Sequence, residues 1–114
     1  MAKFLVRNNG PLRGEVTISG SKNSVLPIMA ATLLSDEECV ICDAPDLRDV
    51  DVMCRLLEGL DVEVNADFKK NILSLRAANV TKSEAPFDLV KRMRASILTM
   101  GPLLARNGCA RAAL

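Results

Sequence analysis

The chain has 114 residues, a length that suits one small domain rather than two. Its 15 Lys and Arg residues and 14 Asp and Glu residues leave a net charge of +1, and its three aromatic residues are all Phe. Nucleic-acid and polybasic membrane surfaces need clustered positive charge, and single-strand-binding modules need stacking aromatics, so the composition argues against these classes. His is absent, which excludes imidazole acid–base catalysis and imidazole metal ligation by this chain.

The N-terminal residues give no targeting signal, because residues 1–10 lack the apolar core of a signal peptide. The longest apolar run, residues 25–34, is far below the roughly 18 residues that a membrane-spanning helix needs. We therefore expect a cytoplasmic protein that binds neither membrane nor nucleic acid. Its four Cys residues are then expected to be reduced rather than paired in disulfides.

Two extended segments are predicted at the start of the chain. Residues 3–7 favour a short strand, and residues 8–11, which include two Asn, a Gly and a Pro, favour a turn. In residues 12–19, Val16 and Ile18 alternate with polar residues, which is typical of a half-buried strand.

Helices and strands alternate in the next part of the chain. Residues 21–34 form a predicted helix whose apolar side chains point in every direction, so we expect protein to enclose it. A short strand is predicted at residues 39–42, and residues 46–60 form an amphipathic helix. The apolar stripe of this helix consists of Val50, Met53, Cys54, Leu57 and Leu60.

The second half of the chain begins with a predicted β-hairpin, in which residues 62–64 and 72–75 flank a turn. A third helix is predicted over residues 88–106. Asp88 is its expected N-cap, and Pro102 is expected to kink it because proline removes a backbone donor.

The remaining patterns bear on the fold class. Residues 110–114 have strand character, and residues 24–35 and 96–105 resemble each other loosely, as the units of an internal structural repeat do. The strands mostly keep one polar face, unlike those of a parallel sheet covered on both sides. These features predict an α/β protein with helices inside and sheets outside.

The junction between the second predicted strand and the first helix is a candidate anion site. The first turn of a helix offers unpaired N–H groups and a partial positive charge. Lys22 adds a full charge and Asn23 an amide that both donates and accepts, so together they suit a phosphate or a carboxylate. The alternative is an ordinary helix start with a solvated lysine.

A second group of cations begins the third predicted helix: Lys91, Arg92 and Arg94. Positive charge at a helix start opposes the helix dipole, and a bound anion would supply the missing negative charge. The alternative is a solvated basic face.

Cysteines and paired carboxylates give weaker patterns. Cys39 and Cys42 form a CxxC pair, but a zinc ribbon needs a second pair, and residues three apart in a strand point to opposite faces. Cys54 is expected in the core. Asp49 and Asp51 do not share a helix face, so we interpret them as capping residues near a helix start.

Three segments resemble the UDP-N-acetylglucosamine enolpyruvyl transferase (1-carboxyvinyltransferase) family: GEVTISGSKNSVLPIMAATLL, APDLRDVDVMCRLLEGL and FDLVKRMRASILTMGPLLAR. The similarity runs in register along the whole chain. The SGSKN junction and the KxMRASI stretch are its most specific parts.

The resemblance implies an inside-out α/β barrel of two lobes, each built from repeated units with buried helices and outer sheets. Only the first part is expected in this chain: residues 1–20 are strands that join the second lobe, and residues 21–114 form an incomplete first lobe. The implied enzyme transfers the enolpyruvyl group of phosphoenolpyruvate to the 3-hydroxyl of UDP-N-acetylglucosamine and releases phosphate, which is the first committed step of peptidoglycan synthesis. No metal or organic cofactor is implied.

The resemblance carries over to few residues. Lys22 and Asn23 match the family's Lys–Asn pair that binds phosphoenolpyruvate, and Arg94 matches the arginine of its MRAS motif, which contacts the UDP-sugar. The family's general acid is a cysteine in a Pro-Gly-Gly-Cys loop that would begin directly after Leu114, and Cys109 lies before that loop and does not replace it. We therefore assign no catalytic residue here and expect an N-terminal fragment that is inactive without the rest of its own chain.

Three alternatives remain at this point. An enolpyruvylshikimate-phosphate synthase shares the fold and the donor, but its junction carries Asp-Lys-Ser where this chain has Ser21, Lys22 and Asn23. A small thiol or zinc module would use Cys39 and Cys42. A nucleotide-sugar-binding module without chemistry is the third.

Overall fold

The computed structural model of the protein describes residues 2–91 and 93–112. In chain order, its elements are helix α1 (Lys22–Ala31) with a first 3₁₀ turn (Thr32–Leu34), strand β1 (Glu38–Ile41), helix α2 (Arg48–Gly59), strands β2 (Glu63–Asp67) and β3 (Ile72–Arg76), helix α3 (Phe87–Val90), a second 3₁₀ segment (Arg94–Thr99) and helix α4 (Met100–Asn107).

The three strands form one antiparallel sheet in the order β1-β3-β2. Leu75 of β3 lies opposite Cys39 of β1 and Val64 of β2. Leu73 and Leu75 are fully buried and face the helices, so the sheet covers one side of the core. Asp67 shapes the β2–β3 turn, because its carboxylate accepts hydrogen bonds from the backbone N–H groups of Lys69 and Lys70. The predicted hairpin is confirmed.

Helix α2 supplies the largest part of the core. Its predicted stripe is buried as expected, and Val50, Met53 and Leu57 are fully inaccessible to solvent. The helix packs against α1, β2 and α3. The predicted helix is confirmed. It was predictable because the helical periodicity of its apolar residues specifies which face is buried.

The predicted first helix is also confirmed, as α1 and the 3₁₀ turn that follows it. The expectation that protein encloses it on all sides is wrong for this chain. Val25 and Met29 are buried, but Ile28 is 50% exposed and Leu34 is 58% exposed. One apolar face of the helix therefore has no cover within the described residues.

The two strands predicted before α1 are wrong as strands of this structure. Residues 2–20 have no regular secondary structure and, in the described part of the chain, form no ladder. Val16 and Ile18 are about 90% exposed. Alternation makes a segment suitable for strand pairing, but pairing also requires a neighbouring strand, and none of the described strands pairs with these residues.

The third predicted helix is interrupted. It consists of α3, a break, the second 3₁₀ segment and α4, so the chain departs from helical geometry before residue 94 rather than at Pro102. Pro102 lies in the first turn of α4, where a missing N–H removes no intrahelical bond. Asp88 lies inside the first turn of α3 and is not its N-cap.

Packing aligns the two loosely similar segments. Helix α1 contacts the second 3₁₀ segment, and α4 contacts the first 3₁₀ turn. Residues 22–34 and 94–107 therefore lie side by side and run in the same direction. The internal repeat stays a prediction, and this arrangement is compatible with it.

In the described residues, the predicted C-terminal strand is present only as one isolated β-bridge. Arg111 forms an isolated parallel bridge with Glu84, and its backbone N–H donates to the Ser83 carbonyl at 2.8 Å. Residues 113 and 114 lie outside the description. The mixed α/β class is confirmed, whereas closure into a barrel stays a prediction. None of the described helices combines the length and apolar character that crossing a bilayer requires.

Candidate functional site

The candidate site begins at the junction that leads into α1. Ser21 is extended, and its carbonyl accepts the Val25 N–H at 2.9 Å, which closes the first turn. Gly20 packs directly against the loop before α2: a Cβ at this position would overlap the Asp43 carbonyl oxygen. The absence of a side chain at Gly20 therefore allows the start of α1 to lie close to that loop.

An ion pair joins the starts of α1 and α2. The Nζ atom of Lys22 lies 2.8 Å from Oδ2 of Asp49, and both side chains are a little under half exposed. Lys22 is the first residue of α1 and Asp49 the second residue of α2. Asn23 follows Lys22 and is exposed. The structure thus places the predicted lysine and asparagine at an accessible helix start.

Charge at this site is partly balanced. Lys22 adds positive charge at the positive end of the α1 dipole, which is unfavourable, and the carboxylate of Asp49 offsets it. An ammonium group has three donors, so the bond to Asp49 leaves two for a ligand. The first-turn N–H groups of α1 add further donors. This combination can hold the oxygen atoms of a phosphate or a carboxylate.

A small depression lies beside the junction. It has a volume of about 180 Å³ and is lined by residues 20–21, 24–25, 28 and 41–43. A larger groove, about 670 Å³, lies on the outer face of the sheet and is lined by Asp36, Glu37, Glu38 and Glu63 among others. An anionic ligand is repelled by that acidic groove, so the junction is the better anion site although its depression is smaller.

The second predicted group of cations lies on a neighbouring segment. Arg94 is exposed and begins the second 3₁₀ segment, which packs on α1. Lys91 is exposed just before the break, and Arg92 lies outside the described residues. The fold therefore brings the two candidate segments together, while the roles of Lys22, Asn23 and Arg94 remain predictions.

The cysteines do not assemble into a site in the described part of the chain. All four are free thiols: Cys39 is half-buried, Cys42 and Cys109 are exposed, and Cys54 is in the core. Burial raises the pKa of the Cys54 thiol to about 11, and the negative charges of Asp51 and Glu58 add to the effect. Within the described residues, no group of three potential ligands could hold a metal ion.

Sequence reasoning missed the partner of Lys22. The sequence predicts only a capping role for Asp49, but the N-cap of α2 is Leu47, whose side chain makes no capping hydrogen bond. Asp49 lies in the first turn, and its carboxylate contacts the ammonium group of Lys22. The residues are 27 positions apart in sequence, and no local pattern predicts that two helix starts meet. The close approach at Gly20 is the one local signal, because a glycine at a strand-to-helix junction indicates nearby backbone.

Known proteins similar to this chain form a consistent group. The chain matches the EPSP synthase (3-phosphoshikimate 1-carboxyvinyltransferase) family over residues 6–114. A Methylacidiphilum infernorum protein named UDP-N-acetylglucosamine 1-carboxyvinyltransferase is 48% identical over 100% of this chain and 26% of its own length. A protein of the same name from Paracoccus denitrificans is 44% identical over 95% of this chain and 25% of its own length.

A solved enolpyruvyl transferase structure is similar in fold to this chain. The enolpyruvyl transferase NikO from Streptomyces tendae matches this structure with a TM-score of 0.78 and 26% sequence identity, over 90% of this chain and 23% of that chain. The chain thus spans about a quarter of the length of the curated relatives and of this structural neighbour.

Proposed function

Because the chain belongs to the EPSP synthase (3-phosphoshikimate 1-carboxyvinyltransferase) family, we propose that its full-length protein is a cytoplasmic enolpyruvyl transferase. It moves the enolpyruvyl group of phosphoenolpyruvate to the 3-hydroxyl of UDP-N-acetylglucosamine and releases phosphate. In this assignment the protein performs the first committed step of peptidoglycan synthesis. The observation that carries the proposal is the 44–48% identity, over nearly the whole chain, to proteins named for the sugar-nucleotide acceptor.

The start of α1 supports a binding role for Lys22 and Asn23. Phosphoenolpyruvate carries a phosphate and a carboxylate, and the reaction develops charge at its central carbon when the vinyl group is protonated and the hydroxyl attacks. Fixed cations and helix-start amides that hold these anionic groups stabilise that charge. Lys22 and Asn23 are exposed at such a helix start. We assign them to the donor.

Arg94 is assigned to the sugar nucleotide. It is exposed at the start of a segment packed beside α1, so a ligand that contacts both segments can reach it. Its guanidinium group suits the phosphate oxygens of a nucleotide diphosphate, because it donates several hydrogen bonds in one plane.

The fold proposal is an inside-out barrel in which residues 21–114 belong to the first lobe and residues 1–20 to the second. Two observations support it: residues 2–19 are exposed and pair with no described strand, and the packed helical segments keep apolar side chains such as Ile28 and Leu104 exposed. Both features suit surfaces that further chain covers.

The test measures phosphate release by the full-length protein. We expect release that requires both phosphoenolpyruvate and UDP-N-acetylglucosamine, and none when shikimate 3-phosphate replaces the sugar nucleotide. Release with shikimate 3-phosphate alone would show that the acceptor is assigned wrongly. Failure to release phosphate with either acceptor would contradict the transferase assignment itself.

A further inference from the structure

We propose that Asp49 is a positioning residue of the donor site, whose carboxylate holds the Lys22 ammonium group where the donor's phosphate binds. This inference rests on the proposed function, since it assigns a partner to a lysine already proposed to bind phosphoenolpyruvate. It extends the site from α1 to α2 and includes a residue that the sequence did not connect with binding.

The geometry of the pair is the main observation. Nζ of Lys22 and Oδ2 of Asp49 are 2.8 Å apart, the distance of a charge-assisted hydrogen bond. The two residues come from different helices that pack against each other. The Asp49 side chain is short and lies in the first turn of α2, so its carboxylate has far fewer rotamers than the Lys22 ammonium group. Lys22 has a long flexible side chain, and the carboxylate therefore determines where the ammonium group lies.

Exposure shows that the pair is accessible to a ligand. The side chain of Lys22 is 47% exposed and that of Asp49 is 43% exposed, so a ligand can approach the ammonium group without unfolding either helix. Two of the three ammonium donors remain for that ligand. If the pair were buried between the helices, a ligand could not reach these two donors.

The charge arrangement explains why a carboxylate is needed here. The partial positive charge at the start of α1 repels the ammonium group of Lys22. Without Asp49, we expect the lysine to point into solvent, and the donor must then order a mobile side chain when it binds. With Asp49 present, that ordering has already occurred, which favours binding.

The experiment compares steady-state kinetics of full-length variants. Asp49→Asn keeps the size of the side chain and removes its charge. We expect it to raise the KM for phosphoenolpyruvate about tenfold, to leave the KM for UDP-N-acetylglucosamine within about twofold, and to leave the thermal unfolding temperature nearly unchanged. Asp49→Glu keeps the charge and should recover part of the donor affinity, which a purely structural role would not predict.

Asp51→Asn is the matched control. Asp51 lies in the same first turn of α2, but its carboxylate pairs with Arg55 at 3.0 Å rather than with Lys22. This variant should leave both KM values unchanged. Equal effects of Asp49→Asn and Asp51→Asn would overturn the inference, because any loss of negative charge from α2 would then have the same consequence.

A Lys22→Met variant separates the inference from the proposed function. If Lys22→Met raises the donor KM while Asp49→Asn leaves it unchanged or lowers it, Asp49 is not a positioning residue, although Lys22 still binds the donor. If Lys22→Met leaves the donor KM unchanged, the donor assignment of Lys22 fails, and the role of Asp49 fails with it.

Discussion

At the scale of single residues, the candidate site depends on a glycine, which has no side chain, and on one ion pair. Gly20 lets the start of α1 approach the loop at Asp43, and Lys22 meets Asp49 across the two helix starts. Lys22 and Asn23 could be predicted as candidate site residues because a helix start with a lysine and an amide has a recognisable pattern. Asp49 could not, because its contact with Lys22 arises only when the helices pack.

Gly20→Ala tests the close approach at the junction. The added methyl group overlaps the Asp43 carbonyl, so the loop or the start of α1 must shift, and we expect a loss of about 1–3 kcal/mol in the free energy of unfolding, measured by urea denaturation. Gly101→Ala is the matched control, since no atom approaches that position and it lies in α4. The control should be neutral or stabilising by up to about 1 kcal/mol. Equal stability of both variants would contradict the contact.

Cysteine reactivity provides a second test at this scale. Because burial raises the pKa of the Cys54 thiol to about 11, it remains protonated at pH 8 and at pH 9, whereas Cys42 and Cys109 are exposed. Alkylation of the native protein, followed by peptide mass spectrometry, should modify Cys42 and Cys109 first and Cys54 last. In urea, all four thiols should react at similar rates. Early modification of Cys54 in the native protein would show that it is not in the core.

At the scale of elements, the sequence predicted those helices and strands that interactions between nearby residues determine. The stripe of α2 specifies a buried face, and the alternation in β2 and β3 specifies a hairpin, so both were predicted from the sequence. The break before residue 94 was not predicted, because helical periodicity continues through it. The strands predicted for residues 3–7 and 12–19 are absent from this structure for a different reason, since strand pairing needs a partner that no local pattern supplies.

Arg106 connects three elements and provides the test at this scale. Its guanidinium group donates to the Leu33 carbonyl at 2.8 Å, to the Ser35 carbonyl at 3.2 Å and to the Ala78 carbonyl at 3.3 Å. It thus joins α4 to the end of the first 3₁₀ turn and to the chain after β3. A cation is favourable there because the last carbonyls of a helix carry partial negative charge.

Arg106→Met removes these bonds while keeping most of the side-chain volume. Hydrogen bonds from a charged donor contribute about 1.5–3 kcal/mol, so we expect a loss of at least about 2 kcal/mol in the free energy of unfolding. Arg55→Met is the control, because its exposed pair with Asp51 within α2 contributes less than about 1 kcal/mol. Urea denaturation of both variants measures the difference. A loss no greater than that of the control would show that Arg106 does not connect these elements.

At the scale of the whole molecule, the chain keeps much apolar surface uncovered. Phe4, Val16 and Ile18 are at least 90% exposed in the N-terminal segment, and Leu34 and Leu104 are more than half exposed on the packed helical segments. The sequence predicted a helix buried on all sides, and the structure buries only part of it. The predicted and observed burial differ because composition shows which residues are apolar, whereas burying them requires other chain segments that pack against them.

The 114-residue chain by itself should therefore bind a hydrophobic dye such as ANS. We expect dye fluorescence per molecule to be several times that of the full-length protein, in which the proposed lobes cover these residues. Leu34→Gln together with Leu104→Gln should lower the fluorescence of the short chain, which locates the dye on the helical segments. A short chain that binds no dye would contradict the proposal that further chain covers this surface.

We propose that the start of α1 binds an anionic three-carbon donor through Lys22. Equilibrium binding of phosphoenolpyruvate tests this role most directly, when full-length protein that carries Lys22→Met is compared with unaltered protein in the presence of UDP-N-acetylglucosamine. Loss of an ammonium group that pairs with phosphate should weaken the donor at least about tenfold, with the sugar nucleotide still bound. Unchanged affinity for phosphoenolpyruvate would contradict the account.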